Sequence, residues 1–138
     1  MMDWVKGFLA LWVVLHAGTP AYAEGGGEKL ALSKDGETVV TLDPATPQET
    51  VQRIKEGALV VDVRSPEEFQ SGHLEGAVNI PHTSIAQNIA QFGVDKGRNI
   101  VVYCRSGRRS GLALTELVAL GFTNVINGGA YKDIVAAK

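Results

Sequence analysis

Apolar residues in this chain fall into short runs set off by turn signals, with two kinds of spacing. Residues 58–63 (ALVVDV) and 99–103 (NIVVY) are short, rich in β-branched side chains and nearly continuous in apolarity, the pattern of strands covered on both faces. Ahead of the first run, Thr46-Pro47-Gln48-Glu49 supplies a cap, a first-turn proline and a capping-box acid, which predicts a helix to about Glu56 with Val51 and Ile54 on its buried face. Ser65-Pro66-Glu67-Glu68 again pairs a capping residue with a first-turn proline, which predicts a short helix to about Gln70. Gly72 and Gly76 then punctuate a turn-rich stretch, and residues 77–80 form a short strand ended by Pro81. Ile85 and Ile89 at i, i+4 spacing predict a helix over 83–92. Ala113, Leu114, Leu117 and Val118 make the wide face of another over 110–120, ended by Gly121. A strand at 124–126 and a final helix over 131–136 follow, with Gly128-Gly129 between them. Strands alternating with helices through short links predict a parallel α/β sheet.

The start of the chain follows a different pattern. Lys6 gives a positive end, residues 7–15 (GFLALWVVL) are uninterrupted nonpolar residues, and Ala21-Tyr22-Ala23 has the small residues a signal peptidase requires. Residues 1–23 therefore read as a cleaved export signal and the chain as periplasmic or secreted. The run is nine residues long, whereas a membrane-crossing helix needs roughly 20; a permanent span is not expected. Residues 24–45 form an extension that opens on a triglycine. In it, residues 29–32 and 38–42 suggest two short strands around a Lys34-Asp35-Gly36 turn. Residues 46–138 are the main domain.

Composition narrows the chemistry. Of the 138 residues 45% are hydrophobic and 20% charged, with 13 basic against 15 acidic side chains and a net charge of −2; this is globular composition with no electrostatic case for a nucleic-acid partner. One cysteine is present, so an intramolecular disulfide and any multi-cysteine zinc or iron–sulfur site are excluded, and no cofactor is implied. An unpaired thiol in an exported protein is either inert and buried or kept because something uses it.

That cysteine, Cys104, ends the second apolar strand, where open α/β sheets bind ligands. The loop Cys104-Arg105-Ser106-Gly107-Arg108-Arg109-Ser110 leads into a helix. Gly107 lets the backbone curl, and inward N–H groups with the helix N-terminus make an anion cradle. Arg105, Arg108 and Arg109 add positive potential, so the thiol should ionise below the ~8.5 of free cysteine and act as a nucleophile. A cysteine at a strand end is more often a small buried hydrophobe, but three arginines, a glycine and two serines in the next six positions make a poor core neighbourhood. No histidine base is needed; His73 and His82 lie far along the chain.

These residues resemble a known family, the single-domain rhodaneses of the small exported bacterial type. Three segments carry the resemblance: VDVRSPEEFQSGHLEGAVNIP at 61–81, VVYCRSGRRS at 101–110 and GFTNVINGG at 121–129. It implies an open parallel sheet of about five strands with helices on both faces. It also implies a sulfurtransferase in which Cys104 carries sulfane sulfur as a persulfide, from thiosulfate or a similar small anionic donor to cyanide or a thiol. By the same resemblance the loop from Arg105 to Ser110 binds substrate. Asp62 and Arg64, in the DVR segment, read as a strand-end pair that orders neighbouring loops. Glu67 and Glu68 read as first-turn helix charges, His73 and Gly76 as turn-shaping residues, and Asn79 as a side chain bonded to backbone. Two departures stand out: the stretch before Thr46 is outside the shared pattern, and Tyr131 stands where many relatives place tryptophan.

Two other functions share these features. A sulfur carrier or anion-binding module delivering to a partner protein uses the same persulfide. A cysteine phosphatase or arsenate reductase needs five residues between cysteine and arginine, whereas four separate Cys104 from Arg109 and Ser110 occupies the next position. Nothing in the chain resembles a coiled-coil seam, and the pattern assigns no oligomeric state.

Overall fold

In the computed structural model, which describes residues 30–32, 34, 36 and 38–138, the two valine-rich runs lie side by side at the centre of a parallel sheet. The export segment and the start of the extension, residues 1–29, lie outside the described residues. The elements are β1 (Leu30–Leu32), β2 (Val39–Thr41), α1 (Pro47–Lys55), β3 (Leu59–Asp62), α2 (Pro66–Gln70) and β4 (Val78–Asn79). They continue with β5 (Ile100–Cys104), α3 (Arg108–Ala119), β6 (Val125–Ala130) and α4 (Tyr131–Ala137). β1 and β2 form an antiparallel pair, and the parallel sheet has the order β4-β3-β5-β6.

Alternation along the central strands sorts side chains into two cores. Val61, Val63, Ile100, Val102 and Cys104 join Leu114, Leu117, Phe92 and Phe122 in one apolar cluster. Val60 and Tyr103 face the opposite way, against Val51 of α1 and Ile134 of α4. The sheet is thus covered on both faces, and each fully buried aliphatic or aromatic side chain contributes roughly 1.5–3 kcal/mol.

The cap signals give the helices their starts. The Thr46 hydroxyl accepts from the Glu49 N–H at 3.1 Å, and Ser65 with Glu68 completes a reciprocal capping box. Asn79 bonds backbone, donating to the carbonyls of Asp62 and Arg64.

Four expectations are adjusted. The parallel sheet has four strands; beside β6 the fifth place holds a single parallel bridge between Pro44 and Asn127, because Pro44 has no N–H to extend a ladder. Residues 83–92 are not an α-helix but 3₁₀ turns, His82–Ser84 and Ala86–Phe92, broken at Asn88. There the Asn88 side chain donates to the Ser84 carbonyl at 2.9 Å, competing with the helical ladder. β6 runs on to Ala130 rather than stopping at Ile126; it does so through a bulge, the register passing from Val102 opposite Asn127 to Tyr103 opposite Gly129, and at the extra residue, Gly128, a Cβ would meet Val101 at 2.9 Å. Finally, α3 begins at Arg108, two residues before Ser110.

Candidate active site

From β3 the chain proceeds to β4 on one side of the sheet, and from β5 to β6 on the other. The carboxyl ends of β3 and β5 therefore flank a topological switch point, where diverging loops leave a crevice. Arg64 follows one strand and Cys104 ends the other.

Cys104 packs at the end of an apolar cluster and is fully buried, yet its sulfur has polar partners. The Gly107 N–H donates to Sγ at 3.0 Å, and Ser110 Oγ lies 3.4 Å away. Gly107 makes the first contact possible: at φ 96° it turns the chain back over the sulfur just before α3 begins, a conformation costly for any residue with a Cβ. Burial pushes the thiol up. The hydroxyl and N–H of Ser110, with the N–H groups of Ser106 and Gly107, outweigh it and hold the thiol below its ordinary value. A buried sulfur among N–H donors at a helix N-terminus is a stabilised anion and a nucleophile.

The three loop arginines separate. Arg105 is exposed and, with Ser106, lines a cleft of about 900 Å³ that also includes Arg64, Glu68, Tyr131 and Lys132. Arg108 is exposed and does not line that cleft. Arg109, one of the three arginines expected to add positive potential at the cradle, gives both terminal nitrogens to Glu68, at 2.7 and 2.9 Å. The Arg109 guanidinium is the main reason the Glu68 carboxyl is held down to about 2.

Asp62 and Arg64 are both buried and joined by several bonds, the shortest 2.6 Å. Arg64 also donates to the Gly72 carbonyl at 2.7 Å and stacks over the Tyr131 ring at 4.8 Å. The pair ties the loop after β3 to the start of α4, with the guanidinium at the cleft wall.

Sequence reading missed two contributors. Glu68 was legible as a first-turn helix charge, but its bond to Arg109 spans 41 positions and leaves no local signal. Asn127 stood inside the resembling segment at 121–129 with no role assigned to it. It is buried, donates to the Gly107 and Leu42 carbonyls, and accepts from Ser110 Oγ at 2.7 Å and the Gly129 N–H at 2.9 Å; it links the extension, the cysteine loop and β6.

Comparison with known proteins covers this region. The family model for the rhodanese-like domain matches residues 46–135. Thiosulfate sulfurtransferase PspE of Escherichia coli K12 is 44% identical over 78 residues, 56% of this chain and 75% of that protein. Thiosulfate sulfurtransferase GlpE of Pseudomonas syringae pv. syringae is 40% identical over 86 residues, 60% of this chain and 79% of that protein. Among solved structures, a rhodanese with anions from E. coli superposes with a TM-score of 0.54 at 42% identity, covering 56% of this chain and 92% of that one. The matched span runs from the Thr46 cap into the last helix and takes in both strands that meet at the crevice; the chain belongs to the rhodanese-like domain family.

Proposed function

We propose that the protein is a thiosulfate sulfurtransferase working through a persulfide on Cys104. The observation that carries this reading is the Cys104 sulfur itself, buried at the switch point with a backbone N–H 3.0 Å away and its ionisation favoured. The Cys104 thiolate attacks the outer sulfur of thiosulfate; the S–S bond of the donor breaks and its electron pair leaves with sulfite. An acceptor, cyanide or a thiol, then attacks the outer sulfur of the persulfide, and the thiolate departs as leaving group. Both steps are displacements at sulfur and call for no cofactor. The loop amides stabilise negative charge on sulfur as oxyanion-hole donors stabilise an oxyanion.

Arg105 is the loop cation that meets the donor, while Arg109 holds the loop through Glu68. The Asp62–Arg64 pair orders the crevice. The pairing of Arg109 with Glu68 also speaks against phosphoryl transfer, because it occupies the guanidinium face that would clamp a phosphoryl group.

Export of the mature domain is part of the same proposal, supported by the positive end, the nine-residue apolar run and Ala21-Tyr22-Ala23. Among the described residues no helix is long and apolar enough to cross a membrane. The test of function is turnover of thiosulfate with cyanide by the purified protein, abolished in Cys104→Ser. Turnover surviving that substitution, or absent from the parent, contradicts the reading.

A further inference from the structure

The Asn127 amide is fixed in one orientation. Its Nδ2 donates to two carbonyls, of Gly107 at 2.9 Å and Leu42 at 3.1 Å, and its Oδ1 accepts the Gly129 N–H; the flipped amide would oppose all three. Oδ1 therefore faces Ser110 Oγ, 2.7 Å away. An amide oxygen only accepts, so in this bond the hydroxyl donates its one proton. Ser110 Oγ also lies 3.4 Å from Cys104 Sγ, and a single proton cannot serve both bonds.

We propose that Asn127 is a positioning residue that controls the ionisation of Cys104 by competing for the Ser110 hydroxyl proton. With the thiol neutral, Cys104 S–H donates to Ser110 Oγ, and Ser110 donates to Asn127, a short cooperative chain. When the thiol proton leaves to water, the hydroxyl turns about its Cβ–Oγ bond and donates to the sulfur instead. Asn127 Oδ1 then retains the Gly129 N–H, so no buried acceptor is abandoned. The neutral thiol is favoured by the Asn127 bond and the thiolate by its release. Asn127 thus keeps the sulfur from ionising as fully as the cradle alone would allow, which preserves nucleophilicity, since a thiolate attacks more weakly as its pKa falls.

The charged and titratable groups around the cradle are Arg105 on the loop, Arg108 and Arg109 in the first turn of α3, Glu68 on α2, the Asp62–Arg64 pair at the end of β3, and Tyr131, Lys132 and Asp133 on α4. Among the described residues none of them hydrogen-bonds Ser110 or Asn127. The inference rests on Cys104 being the reacting group, but its test reads ionisation rather than turnover.

The experiment is an ultraviolet titration of the thiolate, with Cys104→Ser as the blank, in the parent, Asn127→Ala, Ser110→Ala and the double variant. Asn127→Ala is expected to increase the thiol's acid ionisation constant about threefold to tenfold, the worth of one competing hydrogen bond, and the increase is expected to vanish in the Ser110→Ala background. A cradle merely loosened by loss of Asn127 would shift ionisation the opposite way, so an unchanged or decreased constant overturns the proposal, as does an equal change in both backgrounds. Carbon NMR of the Asn127 side-chain carbonyl across the parent's thiol titration covers a failure of the alanine variant to fold, since it needs no substitution where Nδ2 serves the Gly107 and Leu42 carbonyls. Its resonance should move with thiol ionisation as the Ser110 bond is released, and by much less in Ser110→Ala; equal movement in the two overturns the proposal. Absence of sulfur transfer in the parent would count against the functional reading alone, whereas a wrong titration pattern would count against the switch alone.

Discussion

Glu68 and Arg109 hold each other through two short bonds, 2.7 and 2.9 Å, and in doing so tie the helix after β3 to the first turn of α3, directly behind the cysteine loop. Glu68 already closes a capping box with Ser65, so one carboxylate fixes a helix start and an arginine 41 positions away. The cysteine loop is thereby anchored at the crevice from the far side of the switch point.

The pair makes stability depend on pH. The Glu68 carboxyl lies at about 2 against an ordinary 4.5, chiefly through its bond to Arg109. A carboxyl depressed by folding stabilises the folded state in full above its ordinary value, and that contribution is lost as pH falls from about 4.5 through 2. Glu68→Gln is expected to cost about 1 kcal/mol at neutral pH, the scale of a well-formed, partly exposed ion pair. It should also flatten the acid limb of the stability curve. Urea denaturation at pH 7 and pH 3 measures both, and a penalty unchanged between the two would contradict the assignment.

Gly107 is the turn on which the cradle depends. Besides its φ of 96°, an added Cβ would meet Pro44 Cγ at 3.2 Å and Gly129 Cα at 3.5 Å. Gly107→Ala is expected to destabilise the protein by about 1–3 kcal/mol and to draw the N–H off the sulfur, raising the thiol pKa. Thermal unfolding and the pH dependence of alkylation by iodoacetamide check the two effects. An unaltered alkylation profile would remove the Gly107 N–H from the chemistry.

Arg105 and Arg108 are both exposed, but only Arg105 lines the cleft beside the loop. Arg105→Ala is expected to raise the KM for thiosulfate severalfold, with the effect shrinking at high salt, whereas Arg108→Ala leaves kinetics near the parent. Steady-state assays at two ionic strengths separate them; equal effects would mean that the two cations act only through the general field.

Local signals made much of the fold legible. Thr46-Pro47 and Ser65-Pro66 mark helix starts because the cap and the proline act within one turn, and the valine runs at 59–62 and 100–104 mark central strands because both faces are covered. The cysteine stood out because its strand ends in a basic, glycine-bearing loop. What local pattern concealed depends on contacts between distant residues. Ile85 and Ile89 have helical spacing, yet the segment is 3₁₀, broken at Asn88. Gly128-Gly129 looked like an interruption, yet β6 continues past it by a bulge at Gly128, where Val101 and Thr50 leave no room for a Cβ. Arg109 and Asn127 acquire their roles from partners 41 and 17 positions away, a distance no periodicity encodes.

Intact-mass spectrometry after thiosulfate treatment bears most directly on the sulfur chemistry. The chain has one cysteine, so the account predicts a gain of one sulfur atom, located to the peptide containing Cys104 and removed by cyanide. A folded protein whose thiol stays unmodified at saturating thiosulfate would contradict it.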